Sequence, residues 1–256
     1  MAHEIAIFPC LSDNYGVLLH DDATGTTAAI DAPEAEPILA ALAGRGWVLS
    51  DILVTHHHKD HVQGIDGLRQ RYPQARVSGP AAEAAKIGAL DVRLGDNDAV
   101  SVGTLKGQVL STPGHTAGHI CYYFADAGLL FAGDTLFALG CGRVFETPLP
   151  VMWHSLARLR GLPPATKLYC GHEYTLNNGR FALGIEPNNA ALQQRMQVVA
   201  ALRAAGKPTV PSTLADELAT NPFLRADDPG LQRAFNMTGA PPADVFAALR
   251  SAKDRA

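Results

Sequence analysis

The chain has 256 residues, a formal net charge of −4 and 47% hydrophobic residues, enough apolar surface for one large domain or a larger and a smaller one. An acidic balance without any Lys/Arg block excludes the electrostatic footprint of a nucleic-acid binder. Residues 1–10 lack a charged segment leading into a long apolar one, and no apolar run approaches a membrane span, so the expectation is a soluble, cytoplasmic chain with no membrane partner.

Residues 4–8, 15–20 and 26–31 read as strands and 33–43 as a helix, followed by a short buried strand at 52–55. A helix at 62–71, a strand at 76–78, a helix at 81–86 and strands at 106–110, 120–124 and 129–131 come next, then a helix at 150–159 and a strand at 167–170. Strands and helices intermixed in this way predict a layered α/β architecture. After Glu173 the character changes: 188–204, 230–236 and 242–253 carry helical patterns and no convincing strand follows. The expected organisation is therefore a first domain over 1–173 and a helical one over 174–256. Cys10, Cys121, Cys141 and Cys170 are scattered, without a Cys-x-x-Cys pair, and are expected as reduced, buried residues with no ligand role.

Directly after the strand at 52–55 the chain reads Thr55-His56-His57-His58-Lys59-Asp60-His61. Imidazole and carboxylate suit zinc, iron or manganese, and a strand end holds them on rigid backbone. In a tight loop His56 and His58 can point one way and Asp60 and His61 another, so one segment can serve two adjacent ions. Three further donors stand just past strands and beside glycines: His115 after Pro113-Gly114, Asp134 after Gly133 and His172 after Gly171. Singly each is an ordinary turn residue. Together, four such strand ends point to a metal site.

This order of motifs resembles the metallo-β-lactamase superfamily over residues 1 to about 173. The resemblance implies an αββα sandwich with two divalent ions at one edge: His56, His58 and His115 on the first, Asp60, His61 and His172 on the second, and Asp134 bridging. His57, His119 and His154 match no ligand position and are expected to be structural or exposed, and Lys59 is expected to point outward. Gly133-Asp134-Thr135-Leu136-Phe137, with 140–146, 171–175, 211–214, 221–225 and the closing 249–254, is similar to the glyoxalase II (hydroxyacylglutathione hydrolase) family. That family carries a C-terminal helical domain and hydrolyses S-(2-hydroxyacyl)glutathione thioesters such as S-D-lactoylglutathione to glutathione and D-lactate, the second step of methylglyoxal detoxification. Its substrate contacts map to Arg143, Phe145, Tyr174, Arg250 and Lys253. Position 145 is Phe where some members have Tyr, so packing replaces a phenolic hydrogen bond.

Two adjacent ions can lower the pKa of a shared water from about 15.7 to near neutrality and stabilise a forming oxyanion. A thioester suits such a site because its thiolate leaving group, of thiol pKa about 8.5, needs little acid assistance. Asp60 is the candidate to orient or shuttle the proton. Glutathione's two carboxylates call for cations, and Arg250 and Lys253, three apart on a helix, share a face. The donor set accepts zinc first, with iron or manganese as alternatives, and a monomer is expected. A glutathione persulfide dioxygenase, a metal-dependent nuclease and a non-enzymatic metal-binding scaffold are the competing readings. The full seven-donor set, and for the nuclease the acidic charge, argue against them.

Overall fold

The computed structural model describes residues 2–88 and 90–256 and divides into two compact units, one of residues 1–111 with 118–133 and one of residues 112–117 with 134–256. In the first unit, β1 (His3–Cys10), β2 (Asn14–Asp21), β3 (Thr26–Ile30), β4 (Val48–Leu53), β5 (Arg76–Pro80) and β6 (Val92–Leu94) form a sheet in sequence order. The first three strands pair antiparallel and β3 through β6 pair parallel. Parallel neighbours need crossovers, and α1 (Ala35–Arg45) and α3 (Ile65–Arg71) provide two of them. Ile38 and Leu42, one turn apart on α1, pack with Ile65 and Leu68 of α3 on Leu18, Ile52 and Val54. Each such burial contributes roughly 1.5–3 kcal/mol.

The helix expected over 62–71 is interrupted. A short turn, α2 (Lys59–Val62), precedes α3, and the chain between them passes so close to the start of α1 that a Cβ on Gly64 would lie 2.8 Å from the Ala32 carbonyl oxygen. Next comes α4 (Ala84–Ile87), and then β7 (Ala99–Val102), β8 (Leu105–Ser111), β9 (Ile120–Phe124) and β10 (Leu129–Phe131), which pair antiparallel in sequence order. Two bonds tie β9 to the end of β4: the Tyr122 hydroxyl donates to Val54 O (2.7 Å) and Ile120 N to Thr55 O (3.0 Å).

Asp21, at the end of β2, holds the β7–β8 turn. Its carboxylate accepts from Thr104 N (2.7 Å), from the hydroxyls of Thr104 and Thr24 (3.0 and 2.7 Å) and from Ala23 N (3.2 Å). These donors, the Thr104 N–H foremost, hold the carboxyl down at about 2 against the opposing effect of burial. A folded pKa below the unfolded one stabilises above the ordinary carboxylate range, and that contribution is lost as pH falls toward 2. Asp21→Asn is therefore expected to lower the unfolding temperature at neutral pH and to flatten its decline between about pH 4 and 2. Thermal scans across that range check it; an unchanged acid limb would contradict the assignment.

The second unit contains the hairpin β11 (Leu136–Phe137) and β12 (Gly140–Cys141), then α5 (Leu149–Arg160), β13 (Lys167–Tyr169), α6 (Thr175–Ile185), α7 (Ala190–Ala204), β14 (Ser212–Thr213), α8 (Leu214–Thr220), α9 (Pro229–Ala234) and α10 (Pro242–Asp254). Leu139 packs with Ala182 of α6 and Leu192, Met196 and Val199 of α7. Trp153 of α5 lies 6.2 Å from Phe246 of α10, which meets Phe223. A capping box between Thr213 and Asp216 starts α8. Against expectation a strand does follow Glu173: β14 pairs antiparallel with β13, but two residues are too few to show alternation. Among the described residues no helix is long and apolar enough to cross a membrane.

Candidate metal centre and substrate face

In the first unit the His-rich loop hangs from Asp31, which ends β3 in the left-handed region at φ 59°. Asp31 accepts from Thr55 N (2.7 Å) and Thr55 Oγ1 (2.9 Å), and its Oδ2 lies 2.8 Å from His61 Nδ1. One buried carboxylate thus fixes both ends of the loop. Because the Thr55 hydroxyl gives its hydrogen to Asp31, its 3.0 Å contact with His56 Nδ1 has the ring as donor. That leaves His56 Nε2 as the lone-pair atom, 3.1 Å from His58 Nδ1. His61 turns Nε2 to within 3.6 Å of Asp60 Oδ2, and Asn14 Nδ2 donates to that same oxygen at 3.0 Å.

Glu83, buried beside the loop, accepts from His57 N (2.7 Å) and Gly118 N (2.9 Å) and meets His57 Nδ1 at 2.8 Å. His119, fully buried, stacks on His56 at 4.8 Å. Lys59 and His154 are exposed. Gly133 can only be glycine: its φ is 47° and a Cβ there would lie 2.6 Å from Thr55 Oγ1.

In the second unit His115, Asp134 and His172 come together, each 5 or 6% exposed. Asp134 Oδ2 lies 3.4 Å from His115 Nε2 and 3.3 Å from His172 Nε2. Two ligand atoms at about 2.0–2.2 Å from one tetrahedral ion stand about 3.3–3.5 Å apart, so each of the two His–Asp134 pairs has the spacing of two donors to one ion. His115 Nδ1 donates to Arg143 O (2.7 Å), which aims Nε2 at Asp134. Each of the seven expected ligands belongs to a cluster of His and Asp groups able to hold a metal ion.

The expected substrate contacts all lie in this second unit. Phe145 is 61% exposed and meets the His115 ring at 5.4 Å. Tyr174 stacks on His172, with ring centroids 4.8 Å apart. Arg143 is exposed, its Nε 3.8 Å from Asp254 Oδ1. Lys253 is half-buried, donating to Asn177 O (3.4 Å) over the Phe181 ring. Burial, then the positive charges of Arg250 and Arg143, push the Lys253 ammonium below its ordinary pKa against the opposing charge of Asp254. Arg250 turns inward. It is 4% exposed, donates to Cys141 O (3.0 Å) and Asp254 Oδ1 (2.8 Å), and lies over Phe223.

All four cysteines are buried, and burial raises Cys10 and Cys170 to about 12 and Cys141 to about 11, so these three remain protonated thiols. The residues missed in the sequence are Asp31, which orients His61, Asn14, which orients Asp60, and Glu83, which holds the same loop at His57. Only Asp31 leaves a local trace, an Asp before Ala32-Pro33 at a strand end.

Residues 22–172 match the family described as Metallo-beta-lactamase superfamily, and residues 173–256 match Hydroxyacylglutathione hydrolase C-terminus. The chain is 58% identical to a hydroxyacylglutathione hydrolase of Rhodopseudomonas palustris, covering 99% of each chain, and 54% identical to one of Nitrobacter winogradskyi, covering 100% of each. Among solved structures it resembles ETHE1 from Myxococcus xanthus, with a TM-score of 0.67 and 28% identity over 98% of this chain and 97% of that one. TTHA1623 in a di-iron-bound form aligns with a TM-score of 0.54 and 28% identity, over 66% of this chain and 91% of that one. With the metallo-β-lactamase fold and a C-terminal helical domain, the chain belongs to the hydroxyacylglutathione hydrolase family of the metallo-β-lactamase superfamily.

Proposed function

We propose that the protein hydrolyses S-(2-hydroxyacyl)glutathione thioesters, S-D-lactoylglutathione among them, to glutathione and a 2-hydroxy acid such as D-lactate. The observation that carries this reading is Asp134 Oδ2 set between the Nε2 atoms of His115 and His172, in the same unit as Arg143, Tyr174 and Lys253. Three of the seven candidate donors and the candidate carboxylate-binding cations lie in that one unit.

The proposed centre holds two divalent ions, His56, His58 and His115 on one, Asp60, His61 and His172 on the other, with Asp134 shared. Zinc heads the candidates, with iron and manganese accepted by the same donors. When bound, such a pair supplies Lewis acidity and an acidic water. Asp31 and Thr55 hold the histidine tautomers, and Asn14 orients the Asp60 carboxylate for proton transfer. Arg143 and Lys253 receive the carboxylates of glutathione, while Phe145 offers packing alone. Residues 1–173 form the catalytic domain in this reading and 174–256 the substrate-binding one.

The test is a steady-state assay with S-D-lactoylglutathione on metal-quantified protein. Turnover that rises with metal content is expected. Stoichiometric metal without thioester cleavage, or oxygen uptake with glutathione persulfide in its place, would overturn the proposal.

A further inference from the structure

Asp254, in the last turn of α10, puts a carboxylate among the cations that the second unit gathers. Its Oδ1 accepts from Arg250 Nη2 (2.8 Å), one helical turn back, and lies 3.8 Å from Arg143 Nε. Lys253 feels the charges of Arg250, Arg143 and Asp254 together. This carboxylate leaves donors over. Arg250 uses Nη1 on Cys141 O and Nη2 on Asp254, while its Nε is buried with no hydrogen-bond partner among the described residues. A guanidinium is a fork that matches a carboxylate two bonds at a time, and a buried donor left unmatched is costly. The contact with Arg143 is longer than a hydrogen bond. The Asp254 side chain is 41% exposed against 5% for Arg250, so the acid can turn into solvent while the buried cation stays.

We infer that Asp254 is an internal competitor for the anion that Arg143, Arg250 and Lys253 receive: it occupies the two guanidinium groups in the free protein and gives way when a carboxylate of glutathione binds. Two carboxylates placed on one pair of cations repel each other, so the ligand binds against Asp254 and leaves more readily. Glutathione and its thioesters carry the same carboxylates, and the competitor therefore weakens substrate and product alike. Such uniform weakening raises KM and leaves the chemical step alone. A carboxylate whose task was to aim Arg250 at the ligand predicts the opposite sign, because its removal would loosen binding. The identity of the ligand rests on the proposed thioester hydrolysis, whereas the pairing of Asp254 with the two arginines does not.

The experiment compares Asp254→Asn and Asp254→Ala with the parent in the full, metal-loaded chain. Glutathione itself is titrated calorimetrically, and steady-state rates are measured with S-D-lactoylglutathione and with the S-lactoyl thioester of N-acetylcysteamine, which has no carboxylate. Expected is a fall of about three- to tenfold in the Kd of glutathione and in the KM of its thioester, with kcat and the KM of the carboxylate-free thioester unchanged. Asp244→Asn, an exposed acid in the first turn of the same helix, changes net charge equally and is expected to leave every constant at the parent value. Should one Asp254 variant not fold, the other carries the comparison. A glutathione Kd that is unchanged or higher in a folded variant would overturn the inference, as would an equal fall in KM for both thioesters or a parent without affinity for glutathione. If the parent binds glutathione but cleaves neither thioester, the hydrolase reading fails while the Kd comparison still decides the role of Asp254.

Discussion

Asp134→Ala is expected to lose one or both metal ions and to cut turnover about a thousandfold. Asp134 is 6% exposed, and a single oxygen of its carboxylate stands between two imidazole nitrogens in the second unit. In the proposed centre that carboxylate would serve both ions. Removing it leaves His115 and His172 without the anion that gathers them, and a bound ion contributes several kcal/mol of transition-state stabilisation. A loss of about 4 kcal/mol is roughly a thousandfold in rate. Elemental analysis beside kcat on the same sample checks both parts; two full equivalents with an ordinary rate would remove Asp134 from the centre.

Glu217→Ala is expected to produce the largest loss of stability. Its carboxylate is 0% exposed and accepts from Leu139 N, Ser212 Oγ (2.6 Å) and Asn221 Nδ2 (3.0 Å) while pairing with Arg195. Truncation strands a mostly buried guanidinium and a buried amide, and breaking one side of a buried pair costs about 3–5 kcal/mol. For a chain of this size the unfolding temperature should fall by about 6–20 °C. Replacing both partners by apolar residues should recover part of that loss, because no charge is then left unpaired. Thermal unfolding of Glu217→Ala within about 2 °C of the parent would show that the hub carries little of the fold.

The candidate donors were legible because each stands at a strand end beside a glycine or within one crowded loop, a local pattern that one pass along the chain detects. Strands at 120–124 and 129–131 were legible for the same reason, being short apolar runs between turns. What escaped reading is non-local. Asp31 reaches Thr55 and His61 across 24 and 30 residues, and Glu83 reaches His57 across 26, with no periodicity to mark them. Helix α6, TLNNGRFALGI, is too rich in Asn and Gly to show a clean helical stripe. Helical spacing correctly puts Arg250 one turn before Lys253. It cannot show that Cys141 O, 109 positions earlier, draws the guanidinium inward.

The bond from His115 to Arg143 is made to the main chain. Any residue at position 143 offers that same carbonyl, so the orientation of the imidazole is blind to the side chain there. In the proposed reading, thiol selectivity and metal retention therefore diverge independently from one position: the outer half of residue 143 is open to selection for new anions, while its backbone carbonyl goes on orienting His115.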